Sequence, residues 1–334
     1  MFLQTKPFEQ LRRPRRNRKS AAIRSLVQET HLLASDLIAP FFLIEGERER
    51  QEVPSMPGVF RWTVDLLIHE LERLQDLGLR AIALFPYVDS QKKDAFASEA
   101  LREEGLIPFA IQKIKAHFPD LCVIGDIALD PYTSHGHDGI VNENGEVLND
   151  PTIEILSQMA LLYAQCGIDI VAPSDMMDGR VAAIRRCLDQ ENFQNVSILS
   201  YAAKYASCLY APFRDAIGAR LSFGNKLSYQ MNPANKREAV LEAALDEQEG
   251  ADMLLVKPAL FYLDVIAEIR KLSQLPICAY QVSGEYTMIM AAHEKGYLHA
   301  ENVFYEALLS IKRAGADAIL SYAVPMILPL THSN

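Results

Sequence analysis

Apolar runs of strand length recur along the whole chain: Leu37–Phe42, Ala81–Phe85, Cys122–Ile127, Ile168–Ala172, Ser197–Tyr201, Met253–Val256, Ile277–Val282 and Ala318–Tyr322. Most are continuous rather than alternating, which is the pattern of strands buried on both faces. Helical periodicity fills the intervals between them. Asp65–Leu77 carries Leu66, Leu67, His69, Leu71 and Leu74 at helical spacing, and Thr152–Cys166, Lys236–Glu249 and Glu301–Ala314 follow the same pattern.

A local signature repeats at four joints. Leu77-Gly78-Leu79-Arg80, Cys166-Gly167-Ile168-Asp169, Glu249-Gly250-Ala251-Asp252 and Ala314-Gly315-Ala316-Asp317 each close a helical stretch and precede an apolar run. Glycine supplies the left-handed conformation that ends a helix, so each joint reads as the αβ turn of a repeated β/α unit. Strands and helices alternating in this way predict an α/β protein, a (β/α)8 TIM barrel. The rival is an open doubly wound sheet, but no G-x-G-x-x-G follows an early strand, which removes support for its dinucleotide-binding version. We expect an extended N-terminal arm over residues 1–30 and one barrel over 31–334.

Composition narrows the class. The chain has 334 residues, 49% apolar and 23% charged, which are globular values that exclude disorder and low complexity. No apolar run approaches ~18 residues, so no membrane span is expected. The N-terminus lacks an apolar stretch before a small-residue cleavage site, so no secretory signal is expected. Five widely spread cysteines without a C-x-x-C argue against a disulfide framework and for a reducing cytoplasm. The net charge of −10 is uneven: residues 1–24 carry eight basic groups and one acid, so the rest of the chain stands at −17. A basic arm suits either nucleic acid or the acidic surface of a neighbouring subunit. The second reading is favoured, because an acidic body repels a phosphate backbone, so no nucleic-acid partner is expected.

Barrel active sites form where the strands end at their C-termini. Polar residues gather at those positions: Asp126 and Asp130 after the third run, Ser174 and Asp175 after the fourth, Lys204 after the fifth, Lys257 after the sixth, Ser283 after the seventh, and Tyr322 on the eighth. Lys204 and Lys257 carry most weight. Adjacent strands would bring their heads together in the barrel mouth, where burial and a neighbouring cation disfavour the charged form. A neutral amine attacks a ketone or aldehyde and forms a Schiff base. The alternative is that each lysine pairs with a buried carboxylate such as Asp126.

After Lys204 the pattern turns irregular from Cys208 to Asn235, and a loop of this length reads as a lid over about 208–235. Its Arg214 and Lys226 are candidates for holding a substrate carboxylate, or they are solvated loop charges. The stretch from Asp126 to Gly139 holds Asp130, His135, His137 and Asp138, which suits either a divalent cation such as Mg²⁺ or a polar turn bonded to its own backbone.

These residues resemble the porphobilinogen synthase (5-aminolevulinate dehydratase) family over essentially the whole chain. The matching stretches include Asp130-Pro-Tyr-Thr-Ser-His-Gly-His-Asp-Gly139, Ala172-Pro-Ser-Asp-Met-Met-Asp-Gly179, Lys204-Tyr-Ala-Ser207, Ala211-Pro-Phe-Arg-Asp215, Tyr229-Gln-Met-Asn-Pro-Ala-Asn235, Val256-Lys-Pro258 and Ala279-Tyr-Gln-Val-Ser-Gly-Glu-Tyr286. The resemblance implies a lyase of tetrapyrrole (haem) synthesis. It would join two 5-aminolevulinate molecules asymmetrically, with loss of water, through lysine Schiff bases. It implies that Lys257 binds the first substrate and Lys204 the second, with Asp126 as a proton carrier beside the latter. Ser283 and Tyr322 would hold the first carboxylate. Arg214, Lys226 and Gln230 would receive the second.

The three metal-binding cysteines of zinc-dependent relatives are replaced here by Ala128, Asp130 and Asp138, so a three-cysteine zinc site cannot form and the chain resembles an aspartate-type branch. That branch implies Mg²⁺, with Glu242 as the ligand of an allosteric ion and Asp130 and Asp138 as a second place for a cation. No organic cofactor is implied. The arm is then the segment that wraps a neighbouring subunit, usually in a homo-octamer. Two rival readings remain: a barrel aldolase with one Schiff-base lysine, and a catalytically silent relative.

Overall fold

The computed structural model describes residues 12–331. The chain folds as two compact units, one ending at His31 and the other beginning at Leu32. In the first unit a 3-10 turn, Pro14–Arg18, precedes a short helix, α1 (Ala21–Leu26). Ser20 caps α1, its hydroxyl accepting from the Ile23 N–H at 3.3 Å. The part of the expected arm within residues 1–11 lies outside the described residues.

The second unit is a closed barrel. Its parallel strands are β1 (Leu37–Leu43), β2 (Ala81–Pro86), β3 (Cys122–Ile127), β4 (Ile170–Pro173), β5 (Ser197–Lys204), β6 (Met253–Lys257), β7 (Ile277–Gln281) and β8 (Ala318–Ser321). Each pairs with its successor, and β8 closes on β1 with Leu37 opposite Ile319 and Ile38 opposite Leu320. The helices between them include α2 (Val64–Asp76), α3 (Leu106–His117), α4 (Asn149–Gln165) and α5 (Arg180–Gln190). After β5 come α6 (Ala211–Ile217) and α7 (Arg237–Gln248); α8 (Leu263–Leu272) follows β6. Next are α9 (Ser283–Glu294) and α10 (Ala300–Ala314) after β7, and α11 (Val324–Thr331) follows β8. The (β/α)8 barrel expected from the apolar runs is therefore the fold.

Burial explains the runs. All seven residues of β1 are buried, since one face packs into the barrel interior and the other against the helices. The four joint glycines, Gly78, Gly167, Gly250 and Gly315, all have φ between 93° and 119°. Gly125 in β3 serves closeness instead: a Cβ there would lie 2.8 Å from the Tyr163 ring of α4.

Three details differ from the sequence reading. The fourth strand starts at Ile170, because Ile168 and Asp169 belong to the turn. The fifth runs on to Lys204, past the expected end at Tyr201. The stretch expected to be irregular, 208–235, contains the helix α6. Two short ribbons have too few residues to announce themselves. One, Arg50–Glu52 with Phe60–Trp62, extends the sheet beside β1, and the other joins Ile140–Val141 to Val147–Leu148.

A buried cation ties the β4 end to the helical layer. The Arg180 guanidinium donates to both carboxylate oxygens of Asp246 on α7 at 3.0 Å, and to the Ser200 hydroxyl on β5 at 3.1 Å. Its Nε lies 3.7 Å from Asp175. Buried charge is tolerated only with such pairing.

Candidate active site

The two lysines end adjacent strands and stand directly opposite each other, Lys257 against Lys204. A register shift makes this possible. Leu254 pairs with Ser200 but Val256 with Ala203, so β5 holds one extra residue between them. Without it Lys257 would oppose Ala203, and the lysine side chains would leave opposite faces of the sheet. Both lysines are buried in the barrel mouth.

Their surroundings differ. The Lys257 ammonium position is boxed by aromatic faces: Tyr280 at 4.7 Å, Phe213 at 4.8 Å, Tyr210 at 5.1 Å and Tyr201 at 5.3 Å from the ring centroids. Among the described residues no carboxylate pairs with it. Burial, reinforced by the Lys204 charge, lowers its pKa to about 7. Lys204 instead donates to the Ser174 carbonyl and to Asp138 Oδ2 at 3.3 Å. The pairing alternative thus applies to Lys204, but with Asp138 rather than Asp126, because the loop after β3 folds back over the mouth.

Three carboxylates share this space with different fates. Asp126 on β3 is pushed up to about 7, chiefly by burial, against the pull of Lys257 and Lys204, and its Oδ1 has no hydrogen-bond partner among the described residues. Asp130 is also raised, by burial and by Asp138 beside it. Burial acts on Asp138 in the same sense, yet Lys204 and Lys226 outweigh it and hold that carboxyl well below the ordinary range.

The lid supplies the remaining candidates. The Lys226 ammonium is buried and donates to Asp138 Oδ1 at 2.6 Å and to Asp130 Oδ2 at 3.0 Å, so it is no solvated loop charge. Gln230 donates to Asp138 Oδ2 at 3.4 Å and leaves its Oε1 buried without a partner among the described residues. Arg214, half-buried on α6, makes no side-chain hydrogen bond among the described residues and is free to take up an anion. Ser283 opens α9; its hydroxyl accepts from the Phe213 N–H at 3.0 Å and donates to the Leu209 carbonyl at 3.2 Å. Tyr322 follows β8, stacks on Phe42 and shares a 2.7 Å hydrogen bond with the Tyr280 hydroxyl.

The structure therefore gathers Lys204, Lys257, Asp126, Asp130, Asp138, Lys226 and Gln230 into one buried cluster under the lid. Glu242 lies elsewhere, on α7, in the wall of a cavity of about 750 Å³ that also meets Glu146, Asp178 and Glu238. Burial, with Asp246 second, raises its pKa. No group of three or more His, Cys, Asp or Glu side chains among the described residues is arranged to hold a metal ion. His137 instead meets the Tyr229 hydroxyl and the Phe223 carbonyl, each at 3.2 Å. The residues that sequence reasoning missed are the aromatic box. Tyr201 and Tyr280 were visible as aromatics near the ends of adjacent units. Tyr210 and Phe213 carried no signal, since only the folded lid brings them over Lys257.

Comparison with known proteins agrees with this geometry. The family model described as "Delta-aminolevulinic acid dehydratase" matches residues 11–330. A delta-aminolevulinic acid dehydratase of Chlamydia pneumoniae is 57% identical over 323 residues, covering 97% of each chain. That of Bradyrhizobium diazoefficiens is 51% identical over 314 residues, covering 94% of this chain and 89% of its own. A crystal structure of the Toxoplasma gondii delta-aminolevulinic acid dehydratase (porphobilinogen synthase), in complex with the reaction product porphobilinogen, superposes with a TM-score of 0.95 at 48% identity, covering 96% of this chain and 92% of that one. Strand order, the facing lysines and a match across nearly the whole length lead to one conclusion: the chain belongs to the delta-aminolevulinic acid dehydratase family.

Proposed function

We propose that this chain is a lyase that condenses two molecules of 5-aminolevulinate into porphobilinogen, with loss of water, for tetrapyrrole synthesis. The observation that carries the reading is the in-register pair of buried lysines at the barrel mouth. The relatives' names and the product held by the Toxoplasma gondii enzyme support it.

Lys257 is the first nucleophile. Its amine, unpaired with a carboxylate and brought to about 7, has a large neutral fraction near neutral pH and attacks the ketone of the first substrate. Water leaves and an imine forms, which draws electrons from the neighbouring carbon better than the ketone does. Lys204 takes the second substrate on the side where Asp138, Lys226 and Gln230 converge, with Arg214 receiving its carboxylate from the lid. Ser283 and Tyr322 hold the first carboxylate. Asp126 lies within electrostatic reach of both amines and sits near 7, so it accepts and returns protons at little cost. Fixing two copies of one substrate in different orientations replaces a disordered encounter, worth up to ~7–11 kcal/mol of the barrier in favourable cases.

A divalent cation fits the two candidate places differently. Between Asp130 and Asp138 the Lys226 ammonium already stands where a cation would lie, so these residues do not fit one as placed, and no step runs through it. At Glu242 the cavity wall offers hard oxygen donors that are not gathered into a ligand group among the described residues, so an Mg²⁺ held there by Glu242 would keep most of its waters. Glu242 would hold the ion, and the ion would supply charge neutralisation in support of assembly rather than bond chemistry. The described part of the basic arm, residues 12–30, carries the charge that suits the acidic surface of a neighbouring subunit in a homo-octamer, and the barrel holds the site. No described helix is long and apolar enough to cross a membrane, and the cysteines are free, which supports a cytoplasmic enzyme.

Borohydride reduction in the presence of labelled 5-aminolevulinate tests the reading. Label is expected on Lys257 first and on Lys204 with excess substrate, and Lys257→Met abolishes both label at that position and turnover. Folded protein that takes no label overturns the proposal; label from a sugar phosphate instead points to an aldolase.

A further inference from the structure

The helix α6 is only seven residues long, yet it carries Phe213 over Lys257 and Arg214 within electrostatic reach of Tyr210 and Tyr229. Its C-terminal carbonyls lack partners within the helix. The Gly218 N–H reaches the Asp215 carbonyl at 3.2 Å and the Ala219 N–H the Arg214 carbonyl at 3.0 Å, and two cations from outside this segment complete the set. Arg61, in the ribbon strand Phe60–Trp62, donates through Nε to the Ala216 carbonyl and through Nη2 to the Asp215 carbonyl, both at 2.7 Å. Lys93, in the segment after β2, donates to the Gly218 carbonyl at 2.9 Å. The Ser55 hydroxyl adds a 2.7 Å bond to Asp215 Oδ2. The Arg61 guanidinium also lies 4.4 Å over the Tyr87 ring, and that ring fills the space where a Cβ on Gly218 would stand, at 2.8 Å.

The ribbon is itself fixed. Thr287 and Tyr286 of α9 donate to the Ser55 and Pro57 carbonyls at 3.1 and 2.8 Å. The cations therefore act from a rigid base. Arg61 can hold two successive carbonyls at once because its donors form a planar fork, which a lysine ammonium cannot reproduce.

We propose that Arg61, assisted by Lys93, is a positioning residue for the reaction: by clasping the C-terminal end of α6 it sets the place of Arg214 for the second substrate. The inference rests on the synthase reading, in which Arg214 receives the second substrate. It predicts a defect in second-substrate capture through Arg214, and because Tyr201, Tyr210 and Tyr280 keep their places around Lys257, the first Schiff base still forms.

Arg61→Gln is expected to raise KM for 5-aminolevulinate roughly tenfold, with kcat within about twofold and borohydride trapping on Lys257 still stoichiometric at saturation. Amide hydrogen exchange over residues 211–217 quickens by a similar factor, while exchange in β5 and β6 does not change. Arg61→Lys recovers only part of the loss, and Ser55→Ala gives a smaller change in the same direction. Unchanged KM and unchanged α6 exchange in folded Arg61→Gln overturn the clasp. So does a fall in Lys257 trapping that matches the fall in turnover. If Arg61→Gln does not fold, Ser55→Ala decides by the same two readings. Wild-type protein that fails to turn over 5-aminolevulinate sinks the synthase reading, whereas an unchanged variant beside an active wild type sinks only the clasp.

Discussion

Asp126 and Lys257 are one titrating unit rather than two residues. Each is buried, each is moved toward 7 from opposite ends of the scale, and the anionic form of one favours the cationic form of the other. The sign of a substitution follows. In the proposed reaction Lys257 attacks as the neutral amine, so imine formation is expected to fall as pH drops through about 7. Removing the Asp126 charge in Asp126→Asn takes away a stabiliser of the ammonium, so the Lys257 pKa moves down and the acid limb moves to lower pH. The maximal turnover falls at the same time, by about 10²–10⁴-fold if Asp126 carries protons. Borohydride trapping on Lys257 as a function of pH checks the first part and steady-state kinetics the second. An acid limb that moves upward or stays in place contradicts the assignment. The pair of lysines was legible in the sequence because each ends an apolar run. The partners of Lys226 were not, since Asp130 and Asp138 lie 96 and 88 positions away and no periodicity connects them.

At the scale of elements, the approach of α9 to the lid is set by the absence of a side chain. A Cβ on Gly284 would stand 2.6 Å from the Leu209 carbonyl oxygen and 2.7 Å from its α-carbon. Both are backbone atoms, so the clash cannot be relieved by a rotamer. Gly284→Ala must therefore push the start of the lid away from α9 and strain the bonds Ser283 makes to Leu209 and Phe213. Overpacking of this kind costs about 1–3 kcal/mol. Borne by the closed lid, that cost lowers kcat/KM by roughly 5- to 150-fold, with far-UV circular dichroism unchanged. Wild-type kcat/KM in the folded variant shows that the lid has no need of this contact. Strands were legible here because burial on both faces leaves a continuous apolar run. Helix α6 was not, because seven residues with Pro212 in the first turn are too few to display a period. The extra residue in β5 that aligns the lysines was hidden as well: a register shift changes pairing, not composition.

For the whole molecule, the closed barrel explains how residues from 126 to 322 reach one mouth, and the cavity beside α7, which shares Tyr229 and Gln230 with that site, adds a second group of carboxylates at Glu146, Asp178, Glu238 and Glu242. Glu242 there is raised by burial and by Asp246, Arg180 opposes them, and Asp178 and Glu238 add to the raising field; the net direction is up, so a cation bound beside it would be favoured. The proposal of Mg²⁺ at Glu242 turns this into a linkage. An ion that binds one assembly state better than another shifts the population toward it, and by no more than its difference in affinity. EDTA is expected to lower both activity and particle size, and Mg²⁺ to restore them. Zn²⁺ is a poor substitute, because the wall of the Glu242 cavity offers carboxylate oxygens and neither thiolate nor imidazole. Glu242→Ala removes a carboxylate from a cavity wall shared with residues 227–232 and leaves Lys204 and Lys257 unchanged. It should therefore weaken the Mg²⁺ response and shift the sizing profile while leaving Lys257 open to borohydride trapping in whatever particles form. A variant that keeps the wild-type sizing profile and the wild-type Mg²⁺ response would show that the ion, if it acts, acts elsewhere. Loss of trapping on Lys257 would show instead that α7 supports the chemistry directly, through Asp246, Arg180 and the end of β4.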